Sequence, residues 1–254
     1  MRILIVDDEA AARRRIAAML EETAGSGIEI VGEADNGITA LELARTRHPD
    51  VILLDIAMPE IDGFDVARHL GEPRPLIIFQ TAYHDRALEA FDHEALDYVV
   101  KPVRRARLAR AIERARARLE TRSTARPWDA SSLNQLGAAV GYQPSRPARL
   151  LVRHGAGHRL TAVRDIVRFS ADEGVVFAHT ASGSSIIDYT LADLEARLGA
   201  QFLRISRADL VNIAHMQRIT SNGDGSATVQ VSGGAALRVS RRRAAAVWRA
   251  LERG

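Results

Sequence analysis

Short apolar runs alternate with segments of helical spacing over the first 120 residues of the chain. The predicted strands lie at residues 1–6, 29–34, 51–55, 75–81 and 98–101, and the predicted helices at residues 11–22, 37–47, 63–70 and 84–93. Continuous apolar runs of this length are typical of strands that are buried on both faces of a parallel sheet. The alternation therefore predicts an α/β domain, with a parallel sheet that has helices on both faces.

Polar residues stand at the carboxyl ends of four of these strands. Asp7 and Asp8 follow the first strand, Asp55 ends the third, Thr81 ends the fourth and Lys101 ends the fifth. In a sheet of this kind, ligands bind beyond the carboxyl ends of the strands, near the point where the strand order reverses. We therefore expect these five side chains to converge on one crevice.

The chemistry of that crevice follows from its residue types. Close carboxylates repel one another, so Asp7, Asp8 and Asp55 favour a bound cation, and an all-oxygen site favours Mg²⁺. The loop after Asp55 offers the backbone carbonyl of Ala57 as a further ligand. Asp55 is the expected nucleophile toward phosphorus.

Lys101 is the only lysine among the 35 lysine and arginine residues of the chain. A lysine ammonium is a compact point charge on a flexible stem, whereas guanidinium is a planar fork, so lysine suits a single phosphate oxygen in a tight site. Together with the Thr81 hydroxyl, Lys101 is expected to bind the oxygens of an incoming phosphoryl group.

Residues 1 to about 120 resemble the receiver domain of two-component response regulators. The matching motifs are Val6-Asp7-Asp8-Glu9, Leu54-Asp55-Ile56-Ala57-Met58-Pro59 through Asp62-Gly63, Thr81-Ala82, and Asp97-Tyr98 followed by Lys101-Pro102. The resemblance implies a (βα)5 flavodoxin-like fold and a phosphoryl group that passes from a sensor histidine kinase to Asp55. It also implies that Tyr98 swings inward when the Thr81 hydroxyl is drawn toward the phosphoryl group.

A rival phosphoaspartate chemistry is that of haloacid-dehalogenase-like hydrolases. Those enzymes need an acid two positions after the nucleophile, and in this chain that residue is Ala57. The protein is therefore expected to be a switch and not an enzyme. Because Ala57 and Tyr83 are poorly suited to orient an attacking water molecule, we also expect slow self-hydrolysis of the phosphoaspartate.

Length and charge predict two domains. The 254 residues suit domains at residues 1–121 and 148–254, joined by a Ser-, Ala-, Gly- and Pro-rich linker at residues 122–147. The net charge changes from −10 over residues 1–103 to +13 over the rest of the chain. Such an asymmetry favours a polyanionic partner for the second half.

Residues 104–122 predict an amphipathic helix that closes the first domain. Its apolar stripe comprises Leu108, Ala111, Ile112, Ala115 and Leu119. In the receiver family this helix commonly belongs to a face on which phosphorylated copies pair, so the resemblance implies a homodimer. The chain has no Cys, no signal-peptide pattern and no apolar stretch near the roughly 20 residues that span a bilayer, so a cytoplasmic location without membrane partners is expected.

After residue 148 short apolar runs are separated by glycine-rich turns, which predicts a mainly β domain. The runs lie at residues 150–152, 158–161, 166–169, 175–178, 185–189 and 228–231. One helix is expected at residues 191–198, capped by Thr190 and ended by Gly199. His154 and His158 flank a glycine turn without further metal ligands nearby in the sequence, which favours a hairpin over a metal site.

The second half, over roughly residues 148–250, is similar to the LytTR DNA-binding domain. The shared features are a Phe-x-Arg-x-x-Arg opening at Phe202, a Val-Asn pair at Asn212 and a Val-Ser-Arg ending at Val239. Two residues depart from the family pattern, since Ser206 replaces the usual histidine and Asp209 stands where an aromatic residue is common. The resemblance implies that loops, and not a recognition helix, enter successive major grooves of duplex DNA.

The positions that match base contacts in that family are Arg207 and either Arg241 or Arg242. An arginine that binds guanine through two hydrogen bonds is the physical basis for such sequence recognition. The loop at Glu173 matches a third contact region, where the acid either accepts a hydrogen bond from cytosine or simply makes a turn.

Arg218 and Arg243 match positions better suited to phosphates, which orient a protein on DNA without specifying sequence. The whole chain is thus predicted to be a phosphorylation-controlled transcription regulator. Two alternatives are a phosphorelay or protein-binding adaptor with a basic β domain and an RNA-binding antiterminator. Binding to duplex DNA that weakens steeply with salt separates the regulator from the adaptor, and a preference for single-stranded or hairpin RNA identifies the antiterminator.

Overall fold

The protein is described by a computed structural model that covers residues 1–22, 27–82, 97–121, 133, 147–155 and 157–251. The chain divides into two compact units, residues 1–143 and 144–254. The helix expected at residues 84–93, Tyr83 and nearly all of the expected linker lie outside the described residues. No helix in the described part of the chain combines the length and the apolar character that crossing a membrane requires.

A five-stranded parallel sheet forms the centre of the first unit, with the strand order β2-β1-β3-β4-β5. This is the order of flavodoxin-like folds, so the predicted fold class is confirmed. Each predicted strand is present to within one residue at either end, because strands buried on both faces are read directly as apolar runs. The strands are β1 (Arg2–Val6), β2 (Glu29–Ala34), β3 (Val51–Asp55), β4 (Leu76–Thr81) and β5 (Asp97–Val100).

Four helices surround this sheet in the described residues: α1 (Ala10–Glu22), α2 (Gly37–Arg47), α3 (Gly63–His69) and α4 (Arg105–Glu120). Helix α2 begins where the Asn36 side chain accepts a hydrogen bond of 2.9 Å from the Thr39 amide. Helices α1 and α4 share one apolar core with β1, β3, β4 and β5. The predicted stripe of α4 is buried except Leu119, which lies in the last turn and is 36% exposed.

The second unit is mainly β, as predicted, and contains three antiparallel sheets with the orders β10-β9-β8-β12-β11, β13-β14-β15 and β6-β7. Its first strands are β6 (Arg149–His154), β7 (Gly157–Ala162), β8 (Ile166–Asp172), β9 (Val175–Thr180) and β10 (Gly183–Ile187). The later strands are β11 (Phe202–Arg204), β12 (Asp209–Asn212), β13 (Met216–Ser221), β14 (Ala227–Val231) and β15 (Ala236–Val239). The predicted hairpin at His154 is confirmed, since His154 pairs with Gly157 across β6 and β7.

The predicted helix of the second unit is confirmed as α5 (Leu191–Leu198). The Thr190 hydroxyl accepts a hydrogen bond of 3.1 Å from the Asp193 amide, and Gly199 follows the last residue with φ 56°. The expectation of a single helix was wrong, because α6 (Arg241–Leu251) is a second one. This helix begins with three arginines, which gave no apolar pattern in the sequence. It packs on the protein through Ala244 and Val247, which join the core beneath β13–β15.

Candidate functional site

The polar residues at the strand ends of the first unit lie at one edge of the sheet, as the sequence predicts. Asp7 follows β1, which pairs with β3, and Asp55 ends β3 opposite Gln80 of β4. Thr81 ends β4 opposite Val100, and Lys101 follows directly. One carboxylate oxygen from each of Asp7, Asp8 and Asp55 lies within 4.8 Å of the others.

Lys101 is bound between two of these acids. Its Nζ lies 2.8 Å from Asp7 Oδ2 and 2.8 Å from Asp55 Oδ2. Asp7 and Asp55 are buried, whereas Asp8 is exposed. The single lysine of the chain therefore balances the two carboxylates that have the least access to water.

Burial and neighbouring charges shift the pKa values of Asp55 and Lys101. Burial raises the pKa of Asp55, Lys101 opposes this through its hydrogen bond and its charge, and the charge of Asp7 raises it further. Burial lowers the pKa of Lys101, but its contacts with Asp55 and Asp7 outweigh burial, so the net shift is upward. One ammonium thus leaves the three carboxylates with an excess of negative charge.

The residues present fit a hard divalent cation. All the side-chain donors are carboxylate oxygens, one oxygen of each acid lies within 4.8 Å of the others, and exposed Asp8 gives access from water. Ala57, whose carbonyl was predicted as a further ligand, lies in the loop after β3. Its amide lies 3.3 Å from Asp55 Oδ1, which places this residue directly beside the carboxylate.

Backbone hydrogen bonds hold the loop after Asp55 against the strand end. The Gly63 amide donates to the Ile56 carbonyl over 3.0 Å, and the Ile56 amide donates to the Gln80 carbonyl over 3.1 Å. A Cβ atom on Gly63 would lie 2.3 Å from the Asp55 carbonyl oxygen, a backbone atom that cannot move aside alone. Glycine at this position therefore permits the geometry of the acidic site.

Gly63→Ala is expected to lower the free energy of unfolding by about 1–3 kcal/mol, because the new methyl group overlaps the backbone of Asp55. Gly71→Ala is the matched control, since no described atom lies within 4 Å of the position that its methyl group would take, and its change should stay below about 1 kcal/mol. Urea unfolding of both variants measures the difference. Equal stabilities for the two variants would contradict this account of the loop.

Lys101→Met is expected to lower the metal-free unfolding free energy by about 2 kcal/mol, since it leaves two acids buried together without their cation. Mg²⁺ should then raise the melting temperature more in the variant than in the wild type. Arg2→Met, which loses an exposed ion pair to Glu29 at 3.7 Å, is the control and should change little. Identical Mg²⁺ shifts in all three proteins would count against a cation site at these acids.

The two residues predicted to relay the switch are both buried. Thr81 is 1% exposed and Tyr98 is 4% exposed. The guanidinium of Arg107, in the first turn of α4, lies 5.0 Å from the centre of the Tyr98 ring and donates to the Tyr98 carbonyl over 3.2 Å. The aromatic side chain is thus buried, and the helix predicted to belong to the dimer face contacts it.

Arginines of the second unit converge on a cleft of about 630 Å³. The cleft lies between the loop that joins β11 to β12, strand β15 and the start of α6. Its lining residues are Ser206, Arg207, Ala208, Asp209, Ser226, Arg238, Ser240, Arg241 and Arg242. An adjoining cleft of about 300 Å³ is lined by Arg207, Arg242 and Arg243 among others. The structure therefore brings together four of the six residues predicted to contact DNA.

The other two predicted DNA contacts do not line these clefts in the described part of the chain. Arg218 lies in β13 opposite Gln230, several residues from the cleft end of that strand. Glu173 has φ 46° and Gly174 has φ 84°, so these two residues form the tight turn between β8 and β9. That turn lies at the same end of its sheet as Arg207, because Asp209 pairs with Ser170 of β8.

Two residues of this region were not predicted from the sequence: Arg238, which lines the larger cleft, and Asp224, an acid that contacts two of its arginines. Asp224 Oδ2 lies 3.0 Å from a guanidinium nitrogen of Arg238 and 3.6 Å from one of Arg241. Hydrogen bonds from Ser226, followed by the nearby arginine charges, lower the pKa of Asp224 to about 2. In the sequence, Asp224 belongs to an Asn-Gly-Asp-Gly stretch, which predicts a turn. Its contacts with the two arginines become visible only from the strand pairing.

Comparison with known proteins agrees with both halves of this arrangement. Residues 3–113 match the family model of the response regulator receiver domain, and residues 157–252 match that of the LytTr DNA-binding domain. Over 98% of both chains the protein is 36% identical to the positive alginate biosynthesis regulatory protein of Pseudomonas aeruginosa. It is 34% identical to the transcriptional regulatory protein BtsR of Escherichia coli K12 over 95% of both chains.

A third relative, the sensory transduction protein LytT of Bacillus cereus, is 31% identical over 86% of both chains. The similarity to these relatives runs through both domains and the segment between them. The receiver-domain match includes the acidic site at the strand ends, and the LytTr match includes the arginine-lined clefts. The chain therefore belongs to the LytTR family of two-component response regulators, which are phosphorylation-dependent DNA-binding regulators of transcription.

Proposed function

We propose that Asp55 accepts a phosphoryl group from a sensor histidine kinase and that this modification controls binding of the LytTR domain to repeated sites on duplex DNA. The observation that carries the proposal is the position of Lys101, 2.8 Å from both Asp7 and Asp55 at the acidic edge of the sheet. A carboxylate beside an ammonium and further acids is suited to bind a metal-bound phosphoryl group and to attack it.

In the proposed transfer, an oxygen of Asp55 forms a bond to phosphorus as the bond from phosphorus to the donor histidine nitrogen breaks. Asp7, Asp8, Asp55 and the carbonyl of Ala57 would hold Mg²⁺, which supplies neutralising charge to the phosphoryl oxygens. Lys101 changes its partner from the Asp55 carboxylate to a phosphoryl oxygen. Each transfer leaves Asp55 phosphorylated until hydrolysis restores its carboxylate. The protein therefore acts as a switch and not as a turnover enzyme.

The signal is proposed to leave the site through Thr81 and Tyr98. The Thr81 hydroxyl binds a phosphoryl oxygen, and its movement favours the inward position of Tyr98. Arg107 contacts the Tyr98 ring from α4, so a change at Tyr98 reaches the helix that the family uses for pairing. Phosphorylated copies then form a homodimer, which presents two LytTR domains to neighbouring DNA sites.

In the second unit, Arg207 with Arg241 or Arg242 is proposed to bind base edges, because these residues share one cleft. Arg243 in the adjoining cleft and Arg218 on β13 are proposed to bind phosphates. Glu173, at the tip of its turn, is proposed as an acceptor for cytosine in a neighbouring groove. With a kinase and chromosomal DNA as its proposed partners, the protein is proposed to work in the cytoplasm.

The proposal is tested by selecting DNA sites from a pool of random duplexes with the purified full chain, in the presence and absence of acetyl phosphate and Mg²⁺. We expect phosphorylation to enrich a repeated motif and the affinity for that motif to fall steeply with salt. Enrichment of no motif in either condition, or tighter binding to single-stranded RNA than to any duplex, would contradict the proposed function.

The phosphorylated form is expected to persist for minutes or longer. Ala57, two positions after the acceptor, carries no group that could orient water, and it is exposed beside Asp55. Ala57→Glu is therefore expected to shorten the lifetime, because a carboxylate two positions from the acceptor can act as a general base. Loss of the phosphoryl group, followed by intact mass, measures both rates, and a wild-type lifetime of seconds would refute the expectation.

A further inference from the structure

Hydrogen bonds within the loop that joins β11 to β12 connect two residues that depart from the LytTR pattern. The Ser206 hydroxyl donates to Asp209 Oδ2 over 2.9 Å and accepts a hydrogen bond of 3.0 Å from the Ala208 amide. The amides of Ile205 and Ser206 lie 3.1 and 3.4 Å from the Asp209 carbonyl. The loop is therefore closed by its own residues, and Arg207 stands at its exposed tip.

Asp209 is also fixed from the sheet. Its other carboxylate oxygen, Oδ1, accepts a hydrogen bond of 2.9 Å from Arg168 of β8, and both side chains are about four-fifths buried. The amide of Ala171, also in β8, donates to the Ala208 carbonyl over 2.8 Å. Because Arg168 compensates the charge of Asp209, this acid can lie beside a DNA-binding cleft without repelling phosphates strongly.

The guanidinium of Arg204 adds a third constraint. It donates to the Ser206 carbonyl over 2.7 Å and also to the Arg207 carbonyl. The backbone on both sides of the Arg207 side chain is therefore held from within the protein. The polar groups of the loop are directed inward, whereas the Arg207 side chain is exposed.

We propose that Ser206 and Asp209 form a positioning pair, anchored by Arg168, that aims Arg207 at DNA, and that Ser206 itself reads no base. Each member needs the other, because a histidine at 206 would not fit the short hydroxyl bridge and an aromatic residue at 209 could not accept the bond. The base preference contributed by this loop then comes from Arg207 alone, which favours a guanine. This inference rests on the proposed function of the second unit.

A double-mutant cycle on the full chain tests the pair. The affinities of Ser206→Ala, Asp209→Asn and the double variant are measured for a selected duplex and for a scrambled duplex of equal length. We expect each single change to lower the ratio of the two affinities about tenfold, because each removes the hydrogen bond between the part-buried hydroxyl and carboxylate. The double variant should lose no more than either single variant, since the pair acts as one unit.

Three further variants make the cycle specific. Ser206→Thr retains the hydroxyl and should restore most of the ratio. Ser182→Ala loses a hydrogen bond of 3.0 Å to Thr180 in the turn between β9 and β10, at the opposite end of the sheet, and should leave the ratio unchanged. Arg207→Ala should lower the ratio by itself, and adding Ser206→Ala to it should cause no further loss. A general loss of folding would instead lower the ratio further.

Losses that add in the double variant would show that Ser206 contacts DNA independently and would overturn the inference. Tighter binding of both duplexes by Asp209→Asn would also overturn it, since Asp209 would then act only as a negative charge. If the wild type does not prefer the selected duplex, the proposed DNA-binding function itself fails. If that preference and the loss in Arg207→Ala are both seen but the pair has no effect, only the positioning inference fails.

Discussion

Asp55→Asn is expected to abolish the response of DNA binding to acetyl phosphate and Mg²⁺. An amide has nearly the shape of the carboxylate but cannot form the acyl phosphate, so the receiver remains in one state. Without the modification, the proposed movement of Thr81 does not occur, and the proposed pairing face should stay unchanged. Occupancy of a selected duplex, measured by fluorescence anisotropy, should be the same in the presence and absence of the phosphodonor.

The control for this variant is Asp35→Asn. Asp35 follows β2 at the same edge of the sheet, is exposed, and does not belong to the group formed by Asp7, Asp8 and Asp55. It carries the same change of charge near the site without removing the acceptor, so its response to acetyl phosphate should match the wild type. A persistent response in Asp55→Asn, or its loss in Asp35→Asn, would contradict the assignment of the acceptor.

Arg207→Ala is expected to weaken binding to the selected duplex by about 1–3 kcal/mol and to relax the preference at one base position. Arg207 is exposed at the tip of a loop whose backbone is fixed by Arg204. Removing its side chain should therefore remove the proposed base contact without releasing the loop. Competition with duplexes that vary at each position of the site measures both the loss and the position at which preference disappears.

Arg159→Ala is the matched control, because Arg159 is an exposed arginine of β7 that lines neither arginine cleft. It loses the same charge, so any effect of net charge alone appears equally in both variants. We expect it to reduce affinity slightly and alike for all duplexes. Equal losses in the two variants, with base preference intact, would show that Arg207 binds only the phosphate backbone.

The receiver site could be predicted from the sequence because its geometry follows from strand ends. In a parallel sheet, the residue that follows an apolar run lies at a fixed edge, so Asp7, Asp55, Thr81 and Lys101 converge whatever the details of the helices. The sequence pattern could not predict which of these side chains contact one another. That Lys101 contacts Asp7 as well as Asp55 depends on side-chain distances across β1, β3 and β5.

The DNA-binding half was predicted less completely, since its contacts join residues far apart in the chain. Strand β15 carries Arg238 to the acid in the β13–β14 turn, and no local pattern marks that meeting. Helix α6 was missed because an arginine run resembles a solvated charge cluster until Ala244 and Val247 are seen in the core. Ser206 and Asp209 looked like two separate departures from the family, whereas the structure joins them by one hydrogen bond.

The most direct test of the central claim is to locate the modification itself. The purified chain is incubated with acetyl phosphate and Mg²⁺, its intact mass is measured, and the acyl phosphate is located by borohydride reduction and peptide mapping. We expect a single added phosphoryl group, dependent on Mg²⁺ and carried by Asp55. An unchanged mass, or a modification on any residue other than Asp55, would contradict it.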